Sequence, residues 1–191
     1  MIAGGFGVGK TTAVAAVSDI TPLSTEEYLT EASTDVDSLE GIEGKETTTV
    51  AFDFGRTSLP DGPVPLELFL FGTPGQDRFG DLWYDLSRGA VGAVVLVDTR
   101  RLESSFAPVD FFEDIQLPFA IAVNEFDGAE RHDPEVVRDA LGLHSSVPVL
   151  TCDARDRNHV AGLLLALVGH AARNTPADPI SAPSTITLQD A

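Results

Sequence analysis

The segment GGFGVGKTT, from Gly4 to Thr12, constrains this chain more than any other stretch. Gly4, Gly9, Lys10 and Thr11 satisfy the pattern G-x-x-x-x-G-K-[ST], with Gly5, Phe6, Gly7 and Val8 inside it and Thr12 just after. Glycines at these spacings let backbone N–H groups turn inward around phosphate oxygens. Lys10 brings positive charge toward the outer phosphates, and the Thr11 hydroxyl suits Mg2+. A following helix adds the dipole of its N-terminus. Such a loop hangs between a buried strand and a helix, so it dictates how the fold must begin. Only Met1, Ile2 and Ala3 precede it, fewer than a central strand normally has. The expectation is a truncated start with a short first strand.

The rest of the chain reads as strands alternating with helices. Thr11 to Ile20 is predicted helical, with Pro22 ending it. Residues 21–47 show no period, and an irregular stretch of that length is usually functional or mobile. Thr48–Phe54 and Val64–Phe71 read as two strands of an antiparallel hairpin, with Asp61-Gly62 in the turn. Residues 73–89 are irregular to helical, with Phe79, Leu82, Trp83 and Leu86 as apolar contacts. Ala90–Val97 and Pro118–Val123 are continuous apolar runs, typical of strands buried on both faces. Leu102–Ile115, Pro134–Leu141 and the segment from Asn158 read as helices, and Val147–Leu150 as the last strand. Beyond Asn174 the chain is rich in Pro, Ser, Thr and Ala and is expected to be disordered. The result is an α/β domain with helices on both faces of its sheet, whose ligands bind at the carboxyl ends of the strands.

Composition removes several classes of function. The 191 residues suit one domain with a tail. Thirty acidic residues against 12 basic ones give a net charge of −18. That balance opposes binding to nucleic acid, which needs Lys and Arg to neutralise phosphates. It equally opposes docking on anionic lipid. No apolar run approaches a membrane span, and neither a signal peptide nor a lipidation motif is present, so no membrane anchor is expected. A single cysteine, Cys152, excludes an internal disulfide. The expected compartment is the cytoplasm.

Three further motifs follow predicted strands. In LFLFGTPGQDRF, Gly75 can offer its N–H to a terminal phosphate, and Gln76 can orient an attacking water. In AVNEFDG, Asn124 and Asp127 form N-x-x-D. A carboxylate there accepts from both N1–H and N2–H2 of guanine, a donor pair that adenine lacks. In VLTCDAR, the Ala154 N–H can meet guanine O6, and Arg155 can lie over the ring. Each motif alone is weak. Their order, and their placement after successive strands, make coincidence a poor explanation.

On these residues the chain resembles a small Ras-like GTPase over 1–173, with 174–191 as a tail. More narrowly, GGFGVGKTT, TTTVAFDFG, LFGTPGQDRF, VLVDTRR, NEFDGA and CDARDR resemble the actinobacterial conservon GTPases of the CvnD type. That group includes the MfpB-like proteins and is related to the polarity GTPase MglA. The resemblance implies a P-loop NTPase G domain: a mostly parallel six-stranded sheet with one antiparallel strand and five helices on its two faces. It implies a GTP/GDP cycle with Mg2+, with Thr11 and a switch I threonine on the metal. Counting back from AFDF favours Thr49, with Thr48 next and Thr47 behind. Gln76, Lys10 and Thr49 become the implied catalytic set. The implied partners are a Roadblock/LC7-type protein, a pentapeptide-repeat effector, and an unidentified activator or exchange factor.

Three departures from the resemblance bear on function. Gly72 replaces the aspartate of D-x-x-G, which normally holds a Mg2+-bound water; Asp98 is the candidate to substitute. Glu125 replaces the lysine of N-K-x-D. No arginine lies between residues 11 and 55, which leaves Arg78 and Arg88 as candidate fingers. Slow hydrolysis without a partner follows, and a non-catalytic guanine-nucleotide scaffold is the alternative. An ATP-using P-loop enzyme is a third reading, opposed by Asp127 and Ala154. The remaining polar residues have plain readings. His132, His144, His159 and His170 are expected at the surface or at helix ends, Asp53 facing solvent or an exposed loop, and Cys152 buried. The acidic stretch from Asp19 to Glu43 reads as a solvated segment, with a partner-binding face as the alternative, and Trp83 and Phe79 as anchors or partner contacts.

Overall fold

The computed structural model describes residues 1–24, 52–60, 65–74 and 80–174. Its centre is built by the two apolar runs. Strand β5 (Ala93–Val97) and strand β6 (Phe119–Asn124) are buried along their whole length. Strand β1 (Ile2–Ala3) lies parallel to β5, pairing Ile2 with Val94 and Ala3 with Val95. Strand β4 (Leu66–Gly72) flanks β1 on the other side, and strand β7 (Val149–Cys152) closes the far edge beside β6. All five run parallel. Strand β3 (Asp53–Leu59) pairs antiparallel with β4, and strand β2 (Leu23–Ser24) pairs antiparallel with β3.

Among the described residues the sheet has seven strands in the order β2-β3-β4-β1-β5-β6-β7, one more than expected. The extra strand is the two-residue edge β2, too short to leave a period in the sequence. Among these strands only β3 runs against the rest, as the expectation of one antiparallel strand has it. The first strand is short, two residues, yet it is central, because β4 and β5 pair with it on either side.

Side chains alternate across a strand, so one run feeds two cores. Ile2, Val94, Leu96, Ala120 and Ala122 cluster with Val14 and Val17 of helix α1 (Lys10–Val17) and with Val160, Leu163, Leu164 and Leu167 of helix α5 (Arg157–Asn174). Ala3, Ala93, Val95, Val97, Ile121 and Val123 face the other way. They meet Val109 and Phe112 of helix α3 (Phe106–Asp114) and Val137 of helix α4 (Pro134–Ala140). Each buried Val, Leu or Phe contributes about 1.5–3 kcal/mol relative to exposure. Helix α2 (Gly80–Ser87) is anchored by Trp83, buried and edge-on to Phe111 at 5.3 Å. Of the two readings of Trp83, the structure supports the anchor.

Several boundaries move. The predicted helix Leu102–Ile115 is broken into a 3-10 segment (Thr99–Ser105) and α3, with a non-helical backbone at Arg101. Helix α1 stops at Val17, where Ser18 turns extended and Arg157 of α5 donates to the Val17 carbonyl at 2.8 Å. The hairpin strand runs on to Leu59 rather than ending at Phe54, because Gly55, Thr57 and Leu59 continue its buried face. His170 is buried, but it lies one turn from the end of α5, a helix-end position as expected, with Asn174 against its ring. Residues 47–49, 61–64, 75–79 and 175–191, where the switch residues, the hairpin turn and the tail fall, lie outside the described residues.

Candidate functional site

The parallel strands end on one rim, and the loops leaving them there build the site. The first is the phosphate loop. Gly4 leaves β1 at φ 134°, and a Cβ there would lie 2.4 Å from the Leu96 carbonyl oxygen, so only glycine passes. Gly9 starts α1 at φ 105° and faces the Asn124 amide nitrogen, which a Cβ would meet at 2.9 Å. Lys10 folds back beneath the loop and donates to the Gly4 and Gly5 carbonyls at 2.8 and 2.7 Å. Burial pushes its ammonium down to about 8, and the Asp53 charge partly offsets that shift. Phe6 stands exposed at the loop apex, and Val8 is buried beneath it.

The strand pair β3–β4 supplies a carboxylate that the sequence reading misplaced. Asp53 is buried, not solvent-facing. Its Oδ2 accepts from Thr11 Oγ1 at 2.6 Å, and its Oδ1 from Ser24 Oγ at 2.7 Å. Asp53 sits directly opposite Gly72 in the register, and a Cβ on Gly72 would lie 3.1 Å from the Asp53 carboxylate. Directly opposed residues share a face of the sheet. A carboxylate expected from residue 72 therefore reaches the same space from residue 53, and the glycine makes room for it. The signal was present: Asp53, Gly55, Thr57 and Leu59 alternate onto the inner face, and the hairpin register brings Asp53 to Gly72.

Asp98 does not take that role. It follows β5, is 1 % exposed, and its oxygens accept from Arg100 and Arg101. Hydrogen bonds from Arg100 hold its carboxyl down to about 2. Arg88 does not serve the loop either. It precedes β5, at the rim opposite the phosphate loop, and is exposed beside Asp85.

The third corner joins the loops after β6 and β7. Asn124 ends β6, and its Nδ2 donates to the Val8 carbonyl at 2.9 Å. Its Oδ1 accepts from the Ala154 N–H at 3.0 Å. One buried amide thus ties the phosphate loop to both downstream motifs. Asp127 stands exposed beyond it, with Arg155 on its two oxygens at 2.9 and 3.1 Å. The same guanidinium holds Asp153 down to about 2 and Asp127 below its usual range. Each Asp127 oxygen keeps a lone pair for a further donor. Glu125 pairs with Arg131 at 3.5 Å. Cys152 is buried, which pushes its thiol up to about 12. Gly4 to Thr12 and Asn124, Asp127, Ala154 and Arg155 therefore converge on one rim. Thr49, Gly75 and Gln76 are outside the described residues.

Among the described residues no cluster of His, Cys, Asp and Glu could cage a metal. The donor set at Thr11 suits a different arrangement. Mg2+ usually takes one or two protein oxygens, with substrate phosphates and water completing its shell. The Thr11 hydroxyl and the Asp53 carboxylate it donates to fit that requirement.

A mostly parallel sheet in this order, with the glycine-rich loop leading from its central strand into α1, is that of the P-loop NTPase fold. The model of a family described as conserved hypothetical ATP binding protein matches residues 2–174, and the chain belongs to that family. It is a nucleotide-binding protein. No curated protein matches the chain significantly.

Proposed function

We propose that the protein is a guanine-nucleotide switch that binds GTP and GDP with Mg2+ and hydrolyses GTP slowly until a partner accelerates it. The observation that carries the reading is the corner made by Asn124, Ala154 and Asp127. Asn124 fixes the loops at a set distance from the phosphate loop, and Asp127, whose two oxygens Arg155 holds, is the carboxylate that guanine would meet with the lone pairs that remain. Guanine offers two adjacent donors to such a carboxylate. Adenine offers an N6 donor beside an N1 lone pair, which a carboxylate repels. Mg2+, held at Thr11 with Asp53 behind it, would neutralise charge on the phosphates. Gln76 is the proposed water-orienting residue, Gly75 the phosphate sensor, and Thr49 the second metal ligand.

Asp53 weakens the case for a non-catalytic scaffold, since it supplies the carboxylate that Gly72 lacks. ATP is the second reading, favoured by the family's description. We further propose membership of the conservon-type, MglA-related GTPases, a cytoplasmic location, and a Roadblock/LC7-type partner, with a pentapeptide-repeat effector as a further partner. No helix among the described residues is long and apolar enough to cross a membrane.

Two measurements decide the base. Nucleotide extracted from the purified protein should be GDP or GTP. Asp127→Asn should lower GTP affinity roughly 10–100-fold, the loss of charge-assisted hydrogen bonds. It should raise affinity for xanthosine triphosphate, whose C2 carbonyl matches the new amide donor. Co-purified ATP, with Asp127→Asn indifferent to the base, would replace the guanine reading with the adenine one. GTP turnover near 1 per second by the isolated chain would refute slow hydrolysis.

A further inference from the structure

Asp98 holds two arginines that leave it in different directions. Arg100 lies over the Phe126 ring, 4.0 Å from its centroid, in the loop between Asn124 and Asp127. Arg101 goes to the phosphate loop. Its Nη2 donates to the Phe6 carbonyl at 3.2 Å and to Asp98 Oδ2 at 3.2 Å, a hydrogen for each. The backbone at Arg101 breaks the 3-10 segment (φ −143°, ψ 53°), and this turn accompanies the aim of the side chain at the loop. The phosphate-loop motif does not include this arginine.

We propose that Arg101 is a positioning residue for the nucleotide phosphates: it grips the Phe6–Gly7 peptide from outside the loop and so presents the Gly7 N–H on the inside. The proposal rests on the nucleotide-binding reading. A trans peptide is planar, with its C=O and N–H on opposite edges. Fixing the Phe6 carbonyl on the Arg101 side therefore turns the Gly7 N–H the other way. The carbonyls of Gly4 and Gly5 are already held by Lys10. With Arg101, three successive carbonyls of the loop rest on cations, and the amides that follow them are held in turn. Gly7 sits at φ 70°, a left-handed turn that a side chain would strain. A Cβ there would have Arg101 Nη2 as its nearest atom, at 3.7 Å, so the guanidinium lies against the loop at contact distance.

A guanidinium on a carbonyl also polarises the peptide, and the N–H on its far edge becomes a stronger donor. Arg101 is half exposed and would wander alone, but Asp98, with its side chain 2 % exposed, fixes it. The planar fork of arginine suits two acceptors at once; a lysine would bring charge without that geometry.

The test compares wild type with Arg101→Gln and Arg101→Lys. The first readout is the Gly7 amide proton in the NMR spectrum of the protein without added nucleotide. Loss of the guanidinium should shift it upfield in Arg101→Gln, with lysine restoring part of the shift. The second is affinity for GTP, ATP and inorganic pyrophosphate by calorimetry. Arg101→Gln should lose about tenfold toward each, on the scale of one lost charge-assisted contact. Arg101→Lys should recover part of it, and all three proteins should melt at similar temperatures. A folded Arg101→Gln that keeps full pyrophosphate affinity overturns the inference, as does an unmoved Gly7 amide. Wild type that binds neither GTP nor ATP overturns the nucleotide reading itself, which the Gly7 shift does not depend on.

Discussion

Lys10 carries chemistry that depends on solution conditions. Its burial lowers its pKa to about 8, so the cation that meets phosphate begins to disappear just above neutrality. Phosphate affinity should fall as pH rises through about 8, by at most tenfold per unit for one proton. Bound phosphate should favour the charged form, so binding near pH 9 should take up a proton. Calorimetry in two buffers of different ionisation enthalpy checks this. Folding stability moves the opposite way. An unfolded lysine keeps its proton up to its usual 10.5, so the unfolded chain binds more protons between 8 and 10.5. The folded state is therefore disfavoured below about pH 8, and that cost is relieved as pH climbs through the window. Affinity falling while the melting temperature holds or rises is the signature expected.

At the level of elements, the hairpin β3–β4 delivers one carboxylate to α1. Asp53 reaches Thr11 because the register sets it opposite Gly72, whose missing side chain leaves the space open. Asp53→Asn should weaken Mg2+-dependent GTP binding roughly 10–100-fold, in the range of losses behind a metal ligand. Binding measured in EDTA should change far less. Equal loss with and without Mg2+ would assign Asp53 a purely structural role at the start of α1. The same register explains why the sequence reading looked elsewhere. Asp98 follows a buried strand and is conspicuous, but Arg100 and Arg101 consume it, and only side-chain placement reveals that. Element ends moved for similar reasons. The 3-10 segment follows Asp98, whose carboxylate accepts from the Arg100 N–H, an interaction no helical period announces.

For the whole molecule, the two cores on either side of the sheet are the source of stability. Phe112 is fully buried among β5, β6 and α3 residues, and it touches Phe111 and Phe119. Phe112→Ala should destabilise by about 3–5 kcal/mol, the range for emptying a core aromatic. Urea titration should show a lower midpoint with an unchanged slope. A changed slope would mean that the two faces unfold separately. The sheet also makes the site a property of the whole chain. Residues 4–12 and residues 124–155 meet only because β1, β5, β6 and β7 end on the same rim. Asn124, bonded to Val8 and Ala154, records that meeting in one side chain.

The sequence alone determined the phosphate loop, the buried strands and the α/β class, because those depend on local pattern. Glycine spacing sets a loop, a continuous apolar run sets a buried strand, and helical spacing sets α5. It also determined which loops would share a rim, since motifs after successive parallel strands must lie there. The tertiary structure decided what local pattern cannot encode. The pairing of Asp53 with Gly72 depends on hairpin register, and a side chain forty residues from Thr11 becomes its neighbour only through it. The reach of Arg101 to Phe6 depends on a buried carboxylate and a kinked backbone between distant segments. Burial, not residue type, moved Lys10 toward neutrality and placed His170 inside a helix face. Short-range chemistry chose the parts, and strand order and register chose their partners.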